Sequence, residues 1–350
     1  QDSCPPSGQK CVTTCKKSET HVKTRAQLDA WLANPTSHLK VDGSIAFNNE
    51  ALTIETRCEV KVQSKAKLTG LTNVFIAADE IDFFGDLTAS GRVDLRAADD
   101  VAIRQKSTFT GLHTLAIEGE DVDEWGDATY GNKYCIEARD NAKVRQASRN
   151  AGGNGTTRVA GEDVDIFGDF NKPGTVEVLA TDDLEFRQAS KITNAGNVTM
   201  SAGGELDIHG DLLGAGNVTY TAGGKLEFRQ AAKVQCSGNV SATAGGELDV
   251  HADVKTSGNV SLTGASLYYR QSSVVSGSGN VAITSTGTKD ASWYGDVLAN
   301  NGSVTVTTAG KLYFHQSANI KANSGAVKIQ VASYFEGRGN INLNGAVQIV

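Results

Sequence analysis

Short apolar–polar–apolar segments punctuate most of this chain. Leu206 and Ile208, Leu226 and Phe228, and Leu248 and Val250 each flank a single acidic residue. Alternation of this kind sends neighbouring side chains to opposite sides of an extended strand, so each segment predicts a strand with one buried and one outward side. A second, shorter strand follows, such as Lys233-Val234 or Ser273-Val274-Val275. Then comes a Gly-Asn-Val strand, such as Gly216-Asn217-Val218-Thr219 or Gly258-Asn259-Val260-Ser261, and an Ala-Gly-Gly turn, such as Ala202-Gly203-Gly204 or Ala244-Gly245-Gly246. Three strands and three corners per unit predict a roughly triangular coil.

The first strand recurs thirteen times in two alternating versions, one like Asp-Ile-Phe-Gly-Asp and one like Glu-Phe-Arg-Gln-Ala-Ser. Aligned on its fourth position, the series runs Phe84, Arg104, Trp125, Arg145, Phe167, Arg187, His209, Arg229, His251, Arg270, Tyr294, His315 and Glu336. These residues span 252 positions in twelve intervals of 19 to 24, a mean of 21. A period near 21 with Gly/Asn turns is the mark of stacked coils that bury a core only against their neighbours. The predicted fold class is therefore all-β: a right-handed single-stranded parallel β-helix, a solenoid of about 21 residues per coil. Right-handed winding follows from the hand that parallel crossovers almost always take. No hexapeptide repeat of the left-handed type is present.

The N-terminal region departs from this grammar. Residues 1–23 read as an irregular, cysteine-containing arm. Residues 24–77 read as a short capping helix and the first irregular coils: Thr24 and Gln27 form a capping box, Leu28, Trp31 and Leu32 an apolar stripe, and Pro35 a stop. Such a helix can cover the open end of the core, whose strand edges would otherwise recruit other chains. Residues 78–350 form the regular β-helix, expected to be one elongated domain.

Composition agrees. Among 350 residues glycine is abundant (38) while proline (4) and methionine (1) are scarce, as tight turns and unbroken ladders require. A net charge of −7 argues against nucleic acid or an anionic membrane as partner. No apolar run reaches the roughly 20 residues of a membrane helix, so no membrane insertion is expected. Cys4, Cys11, Cys15 and Cys58 crowd the N-terminal region without zinc-type spacing, which predicts one or two disulfides in an oxidising compartment. Cys135 and Cys236 are about five coils apart, roughly 24 Å along a straight stack, so they cannot bridge each other. They are free thiols, or they pair with the arm or with another subunit. A first residue other than Met is what removal of a secretion leader leaves, and the expected location is secreted or cell-surface.

Two resemblances can be named on these residues. The helix Thr24-x-x-Gln27-Leu28-x-x-Trp31-Leu32 leading to Lys40-Val41-Asp42-Gly43-Ser44-Ile45 resembles the N-terminal helix and first strand of the pectate-lyase-like superfamily. The Ala-Gly-Gly-x-Leu-x-Ile repeats resemble those of filamentous-haemagglutinin-type adhesins, over about three quarters of the chain. The resemblance implies architecture only, because such repeats arise convergently.

The outward positions carry the candidate chemistry. At the fourth position, rings and histidines alternate with arginines through Phe84, Arg104, Trp125, Arg145, Phe167, Arg187, His209, Arg229, His251, Arg270 and Tyr294. Neighbouring coils bring these within the approximately 6 Å of a cation–π contact. At the sixth position of the ring coils lie Asp86, Asp127, Asp169, Asp211, Asp253 and Asp296, which the arginines are expected to reach. The row is either an internal ladder that keeps coils in register or a binding face for a glycan or another solenoid. The second position carries Asp82, Asp123, Asp165, Glu185, Asp207, Glu227 and Asp249, read as a solvated acidic stripe without a matching basic row.

No Gly-Gly-x-Gly-x-Asp calcium repeat is present, and His209 and His251 are two coils apart, so neither metal nor cofactor is expected. Catalysis needs a clustered constellation. Asp99-Asp100 and Asp182-Asp183 are the only weak candidates, with the inserted stretches 123–133 and 285–293 as loops that could overhang a cleft. Six sequons, at Asn154, Asn197, Asn217, Asn239, Asn259 and Asn301, are explained by asparagine's tolerance of left-handed backbone. The chain's last segment, 340–350, is strand-like, which suggests head-to-tail stacking. Together these features predict a non-enzymatic extracellular structural or adhesive solenoid whose partners are itself or surface glycans; the alternative is a polysaccharide lyase or hydrolase, or a glycan-binding module, on the same fold.

Overall fold

The computed structural model describes residues 15–145, 149–171, 174–343 and 347–349. It divides into two compact units, Gln1–Glu177 and Val178–Val350. Each is a parallel β-solenoid with about 21 residues per turn, as the period predicts. In the second unit the first strands of successive coils, Leu184–Phe186, Leu206–Ile208, Leu226–Phe228, Glu247–Val250 and Ser266–Tyr269, pair in parallel. The Gly-Asn-Val strands do the same, with Val198, Val218, Val240, Val260 and Val281 in one row. In the first unit the second and third strands often fuse, as in Lys67–Ala78, Thr108–Gly119 and Asp127–Ala138. Left-handed Gly70 and Gly111 lie within the first two, a conformation glycine adopts without strain. Residues 127–133 thus belong to a strand and not to an overhanging loop.

The alternation of coil types is an alternation of corners. After Arg187 the second strand begins four residues on, at Lys191; after His209 it begins two residues on, at Asp211, and these two starts pair with each other. The longer corner is a β-turn in which Ser190 N–H donates to the Arg187 carbonyl at 3.1 Å and Ala189 takes φ 81°. Ser107 and Ser273 close on Arg104 and Arg270 in the same way, around left-handed Lys106 and Ser272. The shorter corner leaves little room for a side chain: a Cβ on Gly210 would lie 2.5 Å from the Phe186 ring and one on Gly295 2.1 Å from the Tyr269 ring, while the His251 coil fits the small Ala252 there. This two-residue difference produces the alternation of 20- and 22-residue steps.

Register also corrects one position of the series. Tyr313 pairs with Glu336, and Arg338 N–H donates to the Phe314 carbonyl as His315 N–H does to the Trp293 carbonyl. The fourth position of that coil is therefore Arg338, and Glu336 is its second.

The N-terminal part is more ordered than an irregular arm. Lys16–Val22 is a strand paired in parallel with Ser37–Val41. Between them lies the helix Arg25–Leu32, with the Thr24/Gln27 capping box present and Leu28 and Trp31 buried. Trp31 donates its indole N–H to the Ser37 carbonyl at 3.2 Å. Cys15 and Cys58 form a disulfide. Cys4 and Cys11 lie outside the described residues. Cys135 is disulfide-bonded as well, so it is not a free thiol. Spacing excluded only its pairing with Cys236. Cys236 is free and buried, and burial pushes its thiol pKa up.

The core is apolar and aromatic. In the first unit Phe83 and Phe109 meet with ring centroids 4.9 Å apart. In the second, Tyr269 packs on Trp293 at 4.9 Å and Trp293 on Phe314 at 6.3 Å. Glu124 breaks the apolar rule at an inward third position: it is buried where the neighbouring coils carry Ile103 and Val144. Close by in the chain, Tyr130 shares a 2.7 Å hydrogen bond with Thr157.

A second ladder runs along the Gly-Asn-Val corner. The side-chain oxygen of Asn197 accepts from Asn217 N–H (3.1 Å), Asn217 from Asn239 (2.9 Å), Asn239 from Asn259 (2.8 Å) and Asn259 from Asn280 (2.8 Å). None of these asparagines has a positive φ. Left-handed tolerance is therefore not why they are there; each caps a backbone N–H of the next coil that the strand ladder leaves open.

Candidate functional site

The second and fourth positions of the first strand lie on one outward face, two residues apart, with the next coil roughly 4.8 Å away. That geometry sets the ion pairs. In the first unit Arg104 Nε lies 2.7 Å from Asp82 of the preceding coil, and Lys61 reaches the other oxygen of Asp82 at 2.8 Å. Arg145 reaches Asp123 of the preceding coil at 2.5 Å. In the second unit Arg229 bridges Asp207 (2.9 Å) and Glu227 (2.7 Å), Arg270 grips Asp249 through two bonds of 3.0 and 2.7 Å, and Arg187 pairs with Glu185 on its own strand. These carboxylates raise the pKa values of Lys61, Arg229 and Arg270, burial opposing them.

The acidic second-position row therefore does have a basic partner row, and it is the arginines themselves. The expected partners, Asp86, Asp127, Asp169, Asp211, Asp253 and Asp296, stand beyond the corner, at the start of the second strand. Several tie that strand to the next coil: Asp211 accepts from Lys233 N–H and Asp253 from Val274 N–H, each at 3.1 Å, and Asp296 from the Asn319 amide at 2.8 Å. The longer corner puts Thr108, Lys191 and Lys233 of the arginine coils, and Lys67 of the coil of Gln63, beside these aspartates.

Ring–cation stacking occurs where the sequence places it in the first unit. Arg145 lies between Trp125 and Phe167 (5.2 and 5.8 Å), and Arg104 and Lys61 both approach Phe84 (5.7 and 5.4 Å). Most of these fourth-position side chains are half-buried; Arg270 is exposed. In the second unit the ring slot holds His209, 3.7 Å from Glu185 and 3.8 Å from Asp207, and His251. After Arg270 the charged pairing lapses for two coils, where Tyr294 stacks on His315 with centroids 3.6 Å apart, and it returns in the next coil as Arg338–Glu336 at 2.7 Å.

A column of like charge escaped the sequence reading. Backbone register places Glu59, Glu80, Asp100 and Asp121 just before the first strands of four successive coils. Partial burial, then the neighbouring carboxylates, raise the pKa values of Glu80 and Asp100. Next to them, Ala102 occupies a second position that is acidic in the adjoining first-unit coils, at Asp82 and Asp123. The missing bulk leaves a shallow depression lined by Glu80, Asp100, Asp121, Asp123, Arg104 and Lys143. The other carboxylate pair is structural in part: Asp183 accepts from Glu205 N–H at 2.6 Å.

Comparison with known proteins gives one result. A family model described as the haemagglutinin repeat matches residues 141–230 and 237–350, more than half of the chain. No curated protein and no solved structure matches significantly.

Proposed function

The chain belongs to the haemagglutinin-repeat family, and from that premise we propose that it is a non-catalytic, extracellular adhesive β-solenoid. The observation that carries the reading is how the outward charged groups are used. Arginine after arginine is tied to a carboxylate of its own or the preceding coil, as in Arg104–Asp82, Arg229–Asp207 and Arg270–Asp249. Groups committed one by one to a repeating ladder hold an extended surface in register; a catalytic centre instead converges unlike groups on one reacting atom. The Cys15–Cys58 disulfide supports an oxidising compartment. Among the described residues no helix is long and apolar enough to cross a membrane.

The test is adhesion by the whole chain. Fluorescently labelled protein incubated with erythrocytes and with bacterial cells is expected to bind saturably and to be displaced by unlabelled protein. Absence of saturable binding to either surface would remove the adhesive reading. Light scattering on the same preparation, with and without reductant, measures self-association; a strict monomer in both conditions removes stacking as a function.

A further inference from the structure

The outward face changes character within the second unit. Up to Asp249 its second position is acidic; over the next three coils the in-register column runs Tyr268, Ser292, Tyr313, and Glu336 follows. The fourth position alongside runs Arg270, Tyr294, His315. Tyr268 is 37% exposed, whereas most large rings of the coil stack are buried or half-buried. Two coil steps, roughly 9.6 Å, separate Tyr268 from Tyr313, and the small Ser292 between them leaves a gap. Arg270 is held from below by both oxygens of Asp249 and lies 5.1 Å over the Tyr268 ring. Its charge is therefore compensated, and its position is fixed.

We propose that the Tyr268–Tyr313 column is a binding platform for a neutral glycan chain running in the direction in which the coils succeed one another; the proposal rests on the adhesive reading and names its ligand. Three features select that ligand. Aromatic side chains offer a broad apolar face with a polar handle, which suits the C–H faces of pyranose rings and their hydroxyl edges at once. The two tyrosines, spaced by two coils, let sugars along one chain meet successive rings while Ser292 and the tyrosine hydroxyls supply hydrogen bonds. Finally, Arg270 is the one permanent charge at these two positions in the three coils; Asp249 neutralises it, and Arg338 of the coil that follows is paired with Glu336 at 2.7 Å, so the strip offers a sulfated or carboxylated polymer no uncompensated cation.

The experiment is calorimetric titration of the full chain with cellohexaose, chitohexaose and mannohexaose, with a heparin hexasaccharide as the anionic comparator. At least one neutral hexasaccharide is expected to bind saturably, more tightly than heparin. Replacing both rings, Tyr268→Ala with Tyr313→Ala, is expected to weaken that binding by about tenfold or more through lost stacking, whereas Tyr→Phe at both positions retains most of it. Should the double variant lose its melting transition, Tyr268→Ala alone, at the more exposed ring of the two, carries the same expectation. Failure of all neutral sugars to bind, tighter binding of heparin, or undiminished binding by the alanine variants overturns the platform. If the sugars fail while the chain still adheres to cells, only the platform falls; if adhesion is absent too, the adhesive reading falls with it.

Discussion

Arg270 shows how much depends on single residues of the face. Its carboxylate partner, Asp249, is 1% exposed, so removing the guanidinium strands a buried charge. Arg270→Gln is expected to lower stability by about 1.5–3 kcal/mol, the range for hydrogen bonds to charged groups, measured by denaturant unfolding. Asp253→Asn, on the row that the sequence suggested as the arginine partner, should cost less than Arg270→Gln.

Glu80 predicts the opposite sign. Its folded pKa is raised, so the folded state resists ionisation: the penalty is full above the folded value and absent below the unfolded one, about 4.3 for Glu. Glu80→Gln should therefore raise the melting temperature at pH 7, and the gain should vanish as the pH falls to about 4. An unchanged difference across that window would contradict the stacked-carboxylate account. The second- and sixth-position acidic rows were legible in the sequence; their partners, and the column that includes Glu80, were not. Counting along the strand assigned the arginines to the sixth position, but the chain turns a corner before reaching it, and the diagonal neighbour across coils lies nearer.

At the scale of the element, the corner and the asparagine ladder fix the register. The 20/22 alternation was visible as spacing, while its cause, a β-turn around a left-handed residue against a short corner built on glycine or alanine, needed the paired strand starts Lys191 and Asp211. Likewise the repeated Gly-Asn-Val pointed to a turn, but a side chain capping the next coil's N–H is a contact some 20 residues away in sequence, which no local pattern displays. Asn239→Ala should remove the acceptor of Asn259 N–H, costing about 1 kcal/mol and speeding hydrogen exchange of that amide. Asn239→Asp, which retains an acceptor oxygen, should leave its exchange slow. Equal exchange in both variants would show that the ladder bond contributes nothing.

For the whole molecule, the period and the inward alternation made the solenoid legible before any coordinate. Two things were hidden: the strand Lys16–Val22, which lacks the apolar alternation because most of its residues are exposed, and the disulfide at Cys135, since sequence spacing tells which thiols are too far apart but not which meet. The Cys15–Cys58 bridge joins residues 43 apart. Replacing both by serine should destabilise the N-terminal coils by about 2–4 kcal/mol through the added freedom of the unfolded chain, read as earlier proteolytic cleavage within 15–58.

The central claim is that this surface makes contact and does not turn over a substrate. It is tested most directly by incubating the chain with cells bearing surface polysaccharide and measuring bound protein and released sugar in the same sample over time. The account predicts saturable binding with no sugar released above the protein-free control. Progressive sugar release that is abolished by Glu80→Gln or Asp100→Asn would contradict it and place an enzyme at the depression beside Ala102.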